Sequence, residues 1–417
     1  MLTNYTIEGF ENIQYQGFHA LSQIEKKLNK LFYTNGYTQV ATPTFEAYDF
    51  FATGDTLPCD DLFKLINHQG KVLALKPDAT LPIARMAAIN HHDPKEIIKF
   101  CYRTNIYRNF SSPDIVKKEI TQMGVEYFGN DQSYCDAEII ALAIQSLQIH
   151  GIQDIHIDLG HVGFINCLFD AIQLEDPQRK FLLKLIETKN LGDIQEFLSN
   201  TNLDSKIKSI ILRLPRLYGN PQSVLVEMES LCINKEMEAV IIKLRNIFED
   251  LEIMGYKDYI SFDLGFTSQM NYYSDLIFKG YVSNWGEPLI VGGRYNHLSN
   301  RFGINRPACG FGVDVLQLMD YLEQNQKLPQ STHTRRILFY SPNDKKEAYQ
   351  LLTQLRYQYN PMEGFLIQSS LEESKKDLLK NALYNDSIFY ALIDGIQYLD
   401  IKGKFTAIDN ILEKDGE

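Results

Sequence analysis

Apolar positions recur at helical spacing over residues 15–35, where Phe18, Leu21, Ile24, Leu28, Leu31 and Phe32 fall on one face. Gly36 follows, where a helix end favours a left-handed residue. The period then shortens. Residues 37–40 read as a short strand, with Pro43 just beyond, and the aromatic-rich block 44–51 is expected in core and interface packing. Residues 61–77 read as a hairpin whose arms, 62–66 and 71–75, flank the turn Asn67-His68-Gln69-Gly70. Residues 99–107 form a strand ending in Arg108, and 109–114 a turn-forming loop. Residues 117–129 resume the strand character, and at period two Ile120, Gln122, Gly124 and Glu126 share a face.

An amphipathic helix is predicted over 136–150 and a strand over 155–159. From 163 to about 250 the pattern is helical, broken at Asn200-Thr201-Asn202 and Gly219-Asn220-Pro221. Sheet character returns at 259–264 and persists to Gly312. Within it, residues 282–291 carry an Asn284-Trp285-Gly286 turn, and Gly292-Gly293 reads either as a tight structural turn of an antiparallel sheet or as a place where backbone approaches backbone or ligand. A closing helix spans 315–325 and a polar linker 326–334. Strands at 336–340, 365–368 and 389–393 alternate with helices at 345–359 and 372–383, a βαβαβ rhythm of a small parallel sheet.

Composition narrows the function. A chain of 417 residues exceeds one ordinary core. Its net charge of −12 argues against a broad nucleic-acid-binding surface but not against small anionic ligands. The six cysteines form no C-x-x-C pair and lie far apart, which fits a reducing cytosol better than a disulfide or zinc framework. Residues 1–24 lack the order of a signal peptide, and no apolar run reaches spanning length, so a cytoplasmic protein without membrane association is expected.

Chemistry concentrates where strands end. Asp78 and Thr80 stand between a strand and a helix; either can cap that helix, and Asp78 can instead receive a ligand's ammonium group. Gln122 and Glu126 on one strand face suit either a polar solute over a sheet floor or a solvated outer face. Gly292-Gly293-Arg294-Tyr295 and Pro307-Ala308-Cys309-Gly310-Phe311-Gly312 lie downstream of Asn271-Tyr272-Tyr273.

In this order the motifs resemble the catalytic core of class II aminoacyl-tRNA synthetases, specifically histidyl-tRNA synthetase, over residues 15–325. The resemblance implies an α+β fold: an antiparallel sheet flanked by helices over residues 1–325, with a helical insertion at about 165–250. A small C-terminal α/β domain would follow at 335–417. It implies a synthetase-like dimer whose interface motif is similar to residues 40–51. It implies a histidine site at Asp78, Thr80, Arg108, Gln122, Glu126, Tyr272 and Tyr273, in which carboxylates hold an ammonium and an amide, an acid and a phenol read an imidazole.

Several family positions differ. The acid that holds ATP is Phe110 here, a later Gly-Arg is Ile115-Val116, and an Asp is Asn271. Two arginines of the polyphosphate site are replaced by Ser268 and Gln317. A kept amino-acid pocket beside a lost ATP site resembles the regulatory subunits of ATP phosphoribosyltransferase. That resemblance implies no catalysis, no cofactor, no metal and no tRNA. It implies a hetero-oligomer with the short catalytic subunit of histidine biosynthesis, activated by this chain and inhibited when histidine binds. The alternatives are a divergent aminoacylating enzyme, which Arg108 and the Gly-Gly-Arg-Tyr block favour, and a free-standing amino-acid sensor.

Overall fold

The computed structural model describes residues 7–53, 59–109, 117–265, 272–329, 336–358, 365–368, 388–393, 395–401 and 404–408. The chain divides into two compact units, Met1–Pro329 and Gln330–Glu417.

In the first unit, α1 (Tyr15–Thr34) buries Leu21, Ile24, Leu28 and Phe32 along the expected stripe. Each such burial contributes about 1.5–3 kcal/mol. Phe18, at the start of that stripe, is exposed instead. Gly36 closes the helix with a φ of 82°. β1 (Thr38–Val40) then pairs in parallel with the later strand β5 (Ile98–Tyr107). β2 (Phe45–Ala47), α2 (Tyr48–Ala52), β3 (Lys64–Ile66) and β4 (Val72–Leu75) follow, and the three strands form a small sheet in the order β2-β4-β3. Its β3–β4 turn is held by the Asn67 side chain, which accepts from the Gln69 and Lys71 amides at 2.9 Å each. Next come α3 (Thr80–Asn90), β5, β6 (Glu119–Phe128), α4 (Ser133–Gln148) and β7 (Ile155–His161).

The helical insertion contains α5 (Val162–Ala171), α6 (Asp176–Glu187), α7 (Leu191–Ser199), α8 (Ser205–Arg213), α9 (Pro221–Leu231) and α10 (Lys235–Ile253). Asn190, Asp204, Asn220 and Asn234 cap α7, α8, α9 and α10 through their side chains; of the two breaks in the leucine pattern, Asn200-Thr201-Asn202 follows the end of α7 and Gly219-Asn220-Pro221 holds the start of α9. Between α8 and α9 lies β8 (Tyr218–Gly219), a two-residue edge strand paired with β9 (Ile260–Asp263) and too short to leave a period in the sequence. β10 (Leu276–Val282), β11 (Ile290–Arg294), β12 (Ala308–Asp314) and α11 (Val315–Gln324) complete the unit.

The main sheet has nine strands in the order β1-β5-β6-β12-β11-β10-β7-β9-β8. Every neighbouring pair is antiparallel except β1 with β5 and β7 with β9. One face of its centre carries Met123, Val125, Tyr127, Cys309, Phe311 and Val313 into a core shared with α1, α4 and α11. Residues between these positions point to the other face, which is where the polar side chains collect.

In the second unit, β13 (Arg336–Tyr340), α12 (Lys345–Gln358), β14 (Phe365–Gln368), β15 (Ile388–Ile393), β16 (Ile396–Ile401) and β17 (Lys404–Ile408) form a sheet ordered β14-β13-β15-β16-β17. β13 is parallel to β14 and β15, as the βαβ rhythm predicts. β16 and β17 add two antiparallel strands that the rhythm does not contain, so the sheet is mixed. The turn at Gly395, with a φ of 78°, is too short for anything but a hairpin. The helix predicted over 372–383 lies outside the described residues.

Candidate functional site

The polar face of the main sheet is opened by glycines. Register places Gly310 between Glu126 and Gly293, and Gly312 beside Gly124. A Cβ on Gly310 would collide with the Glu126 carboxylate, one on Gly312 with the Gln122 amide, and one on Gly293 with the Tyr273 ring. Each glycine leaves the space that a neighbouring polar side chain fills. Gly292 and Gly293 therefore lie within β11 rather than forming the expected turn. The turn is earlier, with Asn284 left-handed at a φ of 61°.

Over these glycines lies a cavity of about 430 Å³, lined by Asp78, Thr80, Arg108, Gln122, Tyr272 and Tyr273. Glu126, 1% exposed, is not among the lining side chains and sits behind Thr80 and Tyr295, which are. Asp78 meets the helix-start reading and also lines the cavity. One carboxylate oxygen accepts from the Leu81 amide at the start of α3, at 2.9 Å, and the other accepts from the Tyr272 hydroxyl at 3.0 Å. Thr80 is no cap: its hydroxyl donates to Glu126 Oε1 at 2.8 Å. The Tyr295 hydroxyl donates to the other Glu126 oxygen. Gln122 accepts from the Tyr102 hydroxyl at 3.3 Å, and Arg108 donates to the Pro77 carbonyl at 2.9 Å.

Burial governs the charges. It pushes the Glu126 carboxyl from 4.5 up to about 8, against the two hydroxyl donors that stabilise the anion. It also raises Asp78, opposed by the Leu81 amide and by Arg108. Tyr272 and Tyr273 are raised by burial and by the nearby carboxyls, which keeps both phenols neutral. The inner cleft thus offers the Asp78 carboxyl, neutral phenols and an amide, with the Arg108 guanidinium at its side and the Glu126 carboxyl behind Thr80. That set suits a small zwitterion bearing a nitrogen ring. Among the described residues no group of three His, Cys, Asp or Glu side chains could hold a metal ion.

The outer cleft is lined by Glu187 of α6, Lys279 and Tyr281 of β10, and Asp314 and Gln317 at the start of α11. Asp314 caps α11 by accepting from the Gln317 amide at 3.0 Å. Phe110, Ile115, Val116, Ser268 and Asn271 lie outside the described residues.

Sequence reasoning passed over Tyr102 and Tyr295, both of which line the cavity. The signal was present: Tyr102 is opposite Gly124 in the β5–β6 register, and Tyr295 is two residues beyond Gly293. Arg294 is a correction of the opposite kind. The Gly-Gly-Arg-Tyr block suggested ligand chemistry, yet Arg294 is fully buried on the other face. It donates to Asp136 at 2.8 Å and to the Asn130 carbonyl at 3.0 Å. Alternation along the strand sends Arg294 into the core and Tyr295 to the cleft.

A family model described as histidyl-tRNA synthetase matches residues 9–318. The ATP phosphoribosyltransferase regulatory subunit of Oceanobacillus iheyensis is 34% identical over 399 residues, covering 95% of each chain. The regulatory subunit of the same name from Clostridium kluyveri is 32% identical over 355 residues, covering 84% of this chain and 90% of that one. A crystal structure from Bacillus halodurans, described as an ATP phosphoribosyltransferase regulatory subunit/histidyl-tRNA synthetase, superposes with a TM-score of 0.80 at 26% identity, over 94% of this chain and 99% of that one. The histidyl-tRNA synthetase of Nostoc sp. PCC 7120, at 14% identity and a TM-score of 0.77 over 97% of each chain, shares the fold. With a synthetase-type sheet, a glycine-floored cleft and relatives that align along nearly the whole chain, the protein belongs to the histidyl-tRNA synthetase-like family of ATP phosphoribosyltransferase regulatory subunits.

Proposed function

We propose that this chain is a non-catalytic regulatory subunit that assembles with the short catalytic subunit of ATP phosphoribosyltransferase, activates it, and relays feedback inhibition when L-histidine enters the cleft. The observation that carries this reading is the convergence of Asp78, Thr80, Gln122, Tyr272 and Tyr273 on one cavity, with Glu126 held directly behind Thr80, in a chain with such relatives. In this assignment Asp78 holds the ammonium group, helped by the Tyr272 hydroxyl, and Arg108 takes the carboxylate. Glu126 and Gln122 read the imidazole, with Thr80 holding Glu126 and Tyr273 packing against the ligand. Ser268 and Gln317, in place of two polyphosphate-site arginines, remove charge-assisted contacts worth about 1.5–3 kcal/mol each in ordinary structures, so adenylation is not expected. The subunit would act in the cytoplasm as a synthetase-like dimer, without tRNA.

The test is a phosphoribosyltransferase assay of the short catalytic subunit with and without this protein and L-histidine. The expected result is a higher rate with this protein and a loss of rate on adding histidine. An unchanged rate and unchanged histidine sensitivity would reject the proposal. Arg108 beside the cavity favours a second reading, a divergent aminoacylating enzyme. It requires histidine-dependent ATP–pyrophosphate exchange, which the first reading does not permit.

A further inference from the structure

Lys76 follows β4 and stands two residues before Asp78. It is 2% exposed, although an ammonium group is costly to take out of water. Burial pulls its pKa down from the ordinary lysine value, opposed by the charge of Glu46. Glu46 is engaged elsewhere, since its two carboxylate oxygens hold Arg85 at 2.6 and 2.9 Å. The Lys76 ammonium donates instead to the Thr42 carbonyl at 2.9 Å and to the Thr42 hydroxyl at 3.1 Å, in the stretch between β1 and β2.

The backbone of the same residue joins two segments. Its amide donates to the Thr44 carbonyl, and its carbonyl accepts from the Tyr107 amide at the end of β5, both at 3.0 Å. Pro77 follows, with a fixed φ that also restrains the residue before it, so Lys76, Pro77 and Asp78 form a stiff piece of chain. The Pro77 carbonyl accepts from Arg108 Nε at 2.9 Å. Asp78 and Arg108 both line the cavity, and both are set from Lys76. Asp78 is two residues along the stiff piece. Arg108 is bonded to the peptide in between and directly follows Tyr107.

We propose that Lys76 is a positioning residue that fixes Asp78 relative to Arg108, and so makes the cleft selective for a ligand that carries an ammonium and a carboxylate on one carbon. The inference rests on the reading of the cleft as a histidine site, with the ammonium at Asp78 and the carboxylate at Arg108. Thr42 is the fixed point: it holds the far end of the Lys76 side chain, and the Lys76 backbone carries that restraint to both charged groups. The ring of the ligand is outside this control, because Gln122 and Glu126 stand on β6 and make no bond to Lys76.

Binding of four ligands to the full chain tests this, by titration calorimetry and, for the weak fragments, ligand-detected NMR. The ligands are L-histidine, histamine (which lacks the carboxylate), imidazolepropionate (which lacks the ammonium) and methylimidazole (which lacks both). Lys76→Met removes the buried ammonium and keeps the length of the side chain. It should bind L-histidine about 10-fold more weakly than the wild type. Histamine and imidazolepropionate should weaken by smaller factors, and methylimidazole should bind as before. Lys76→Arg keeps donors toward Thr42 and should restore L-histidine binding. If the methionine variant does not fold, Lys76→Gln keeps one donor and should show the same order of effects at smaller factors. A folded Lys76→Met protein that binds L-histidine as tightly as the wild type overturns the proposal. So does one that weakens all four ligands by the same factor, which is the mark of a loosened fold. If the wild type binds neither L-histidine nor methylimidazole, the histidine reading itself fails and the role of Lys76 falls with it.

Discussion

Replacing Glu126 by glutamine tests the electrostatics of the cleft floor. The amide nearly matches the carboxyl in shape and can still meet the Thr80 and Tyr295 hydroxyls, but it does not titrate. In the wild type the carboxyl moves from 4.5 to about 8 on burial. Below the lower value it is protonated in both folded and unfolded chains and has no effect on the pH dependence. As pH rises, the unfolded chain ionises first while the folded chain keeps its proton, so stability is lost up to the folded value. The full loss is on the order of 5 kcal/mol, and at pH 7 it is about 3 kcal/mol. Glu126→Gln escapes this loss. Urea unfolding at pH 5, 7 and 8.5 measures it, followed by fluorescence of the single tryptophan, Trp285, which packs against Tyr321 in the first unit. The variant should match the wild type at low pH and exceed it progressively toward pH 8.5. Parallel pH profiles would mean that Glu126 ionises normally, and the account of a neutral buried acid would be wrong. The same substitution should weaken histidine binding, because a carboxyl that reads a ring nitrogen is lost.

Four further substitutions separate cleft from core. Asp78→Asn keeps the acceptor for the Leu81 amide but removes the charge, so histidine affinity should fall about 10- to 100-fold by calorimetry with little change in melting temperature. Gly310→Ala places a methyl against the Glu126 carboxylate and the Val125 carbonyl, so a loss of about 1–3 kcal/mol is expected in urea unfolding, and an unchanged midpoint would contradict the glycine argument. Arg294→Ala strands the buried Asp136 and should cost about 3–5 kcal/mol, whereas Arg108→Ala should melt near the wild-type temperature and lose histidine binding. A soluble, fully stable Arg294→Ala protein would contradict the reading of Arg294 as the buried partner of Asp136.

Local pattern was enough for much of this protein. The α1 stripe, the turn at Asn67–Gly70, the shared face of Gln122 and Glu126 and the helical run after β7 follow from spacing and turn chemistry, which act between residues near in sequence. The ordered motifs were enough to suggest the synthetase-like fold. Pairing across distance was not legible. That β1 lies parallel to β5, that Asp78 meets Tyr272, and that Tyr295 shares Glu126 with Thr80 depend on contacts between segments far apart in the chain. A sequence also does not say which side of a strand faces the core, and a single step of alternation sends Arg294 inward and Tyr295 to the cleft. The chain supplied the acids, phenols and glycines. The sheet register decided which of them meet, because Gly310 opposite Glu126 and Gly312 diagonal to Gln122 leave the room that those side chains occupy.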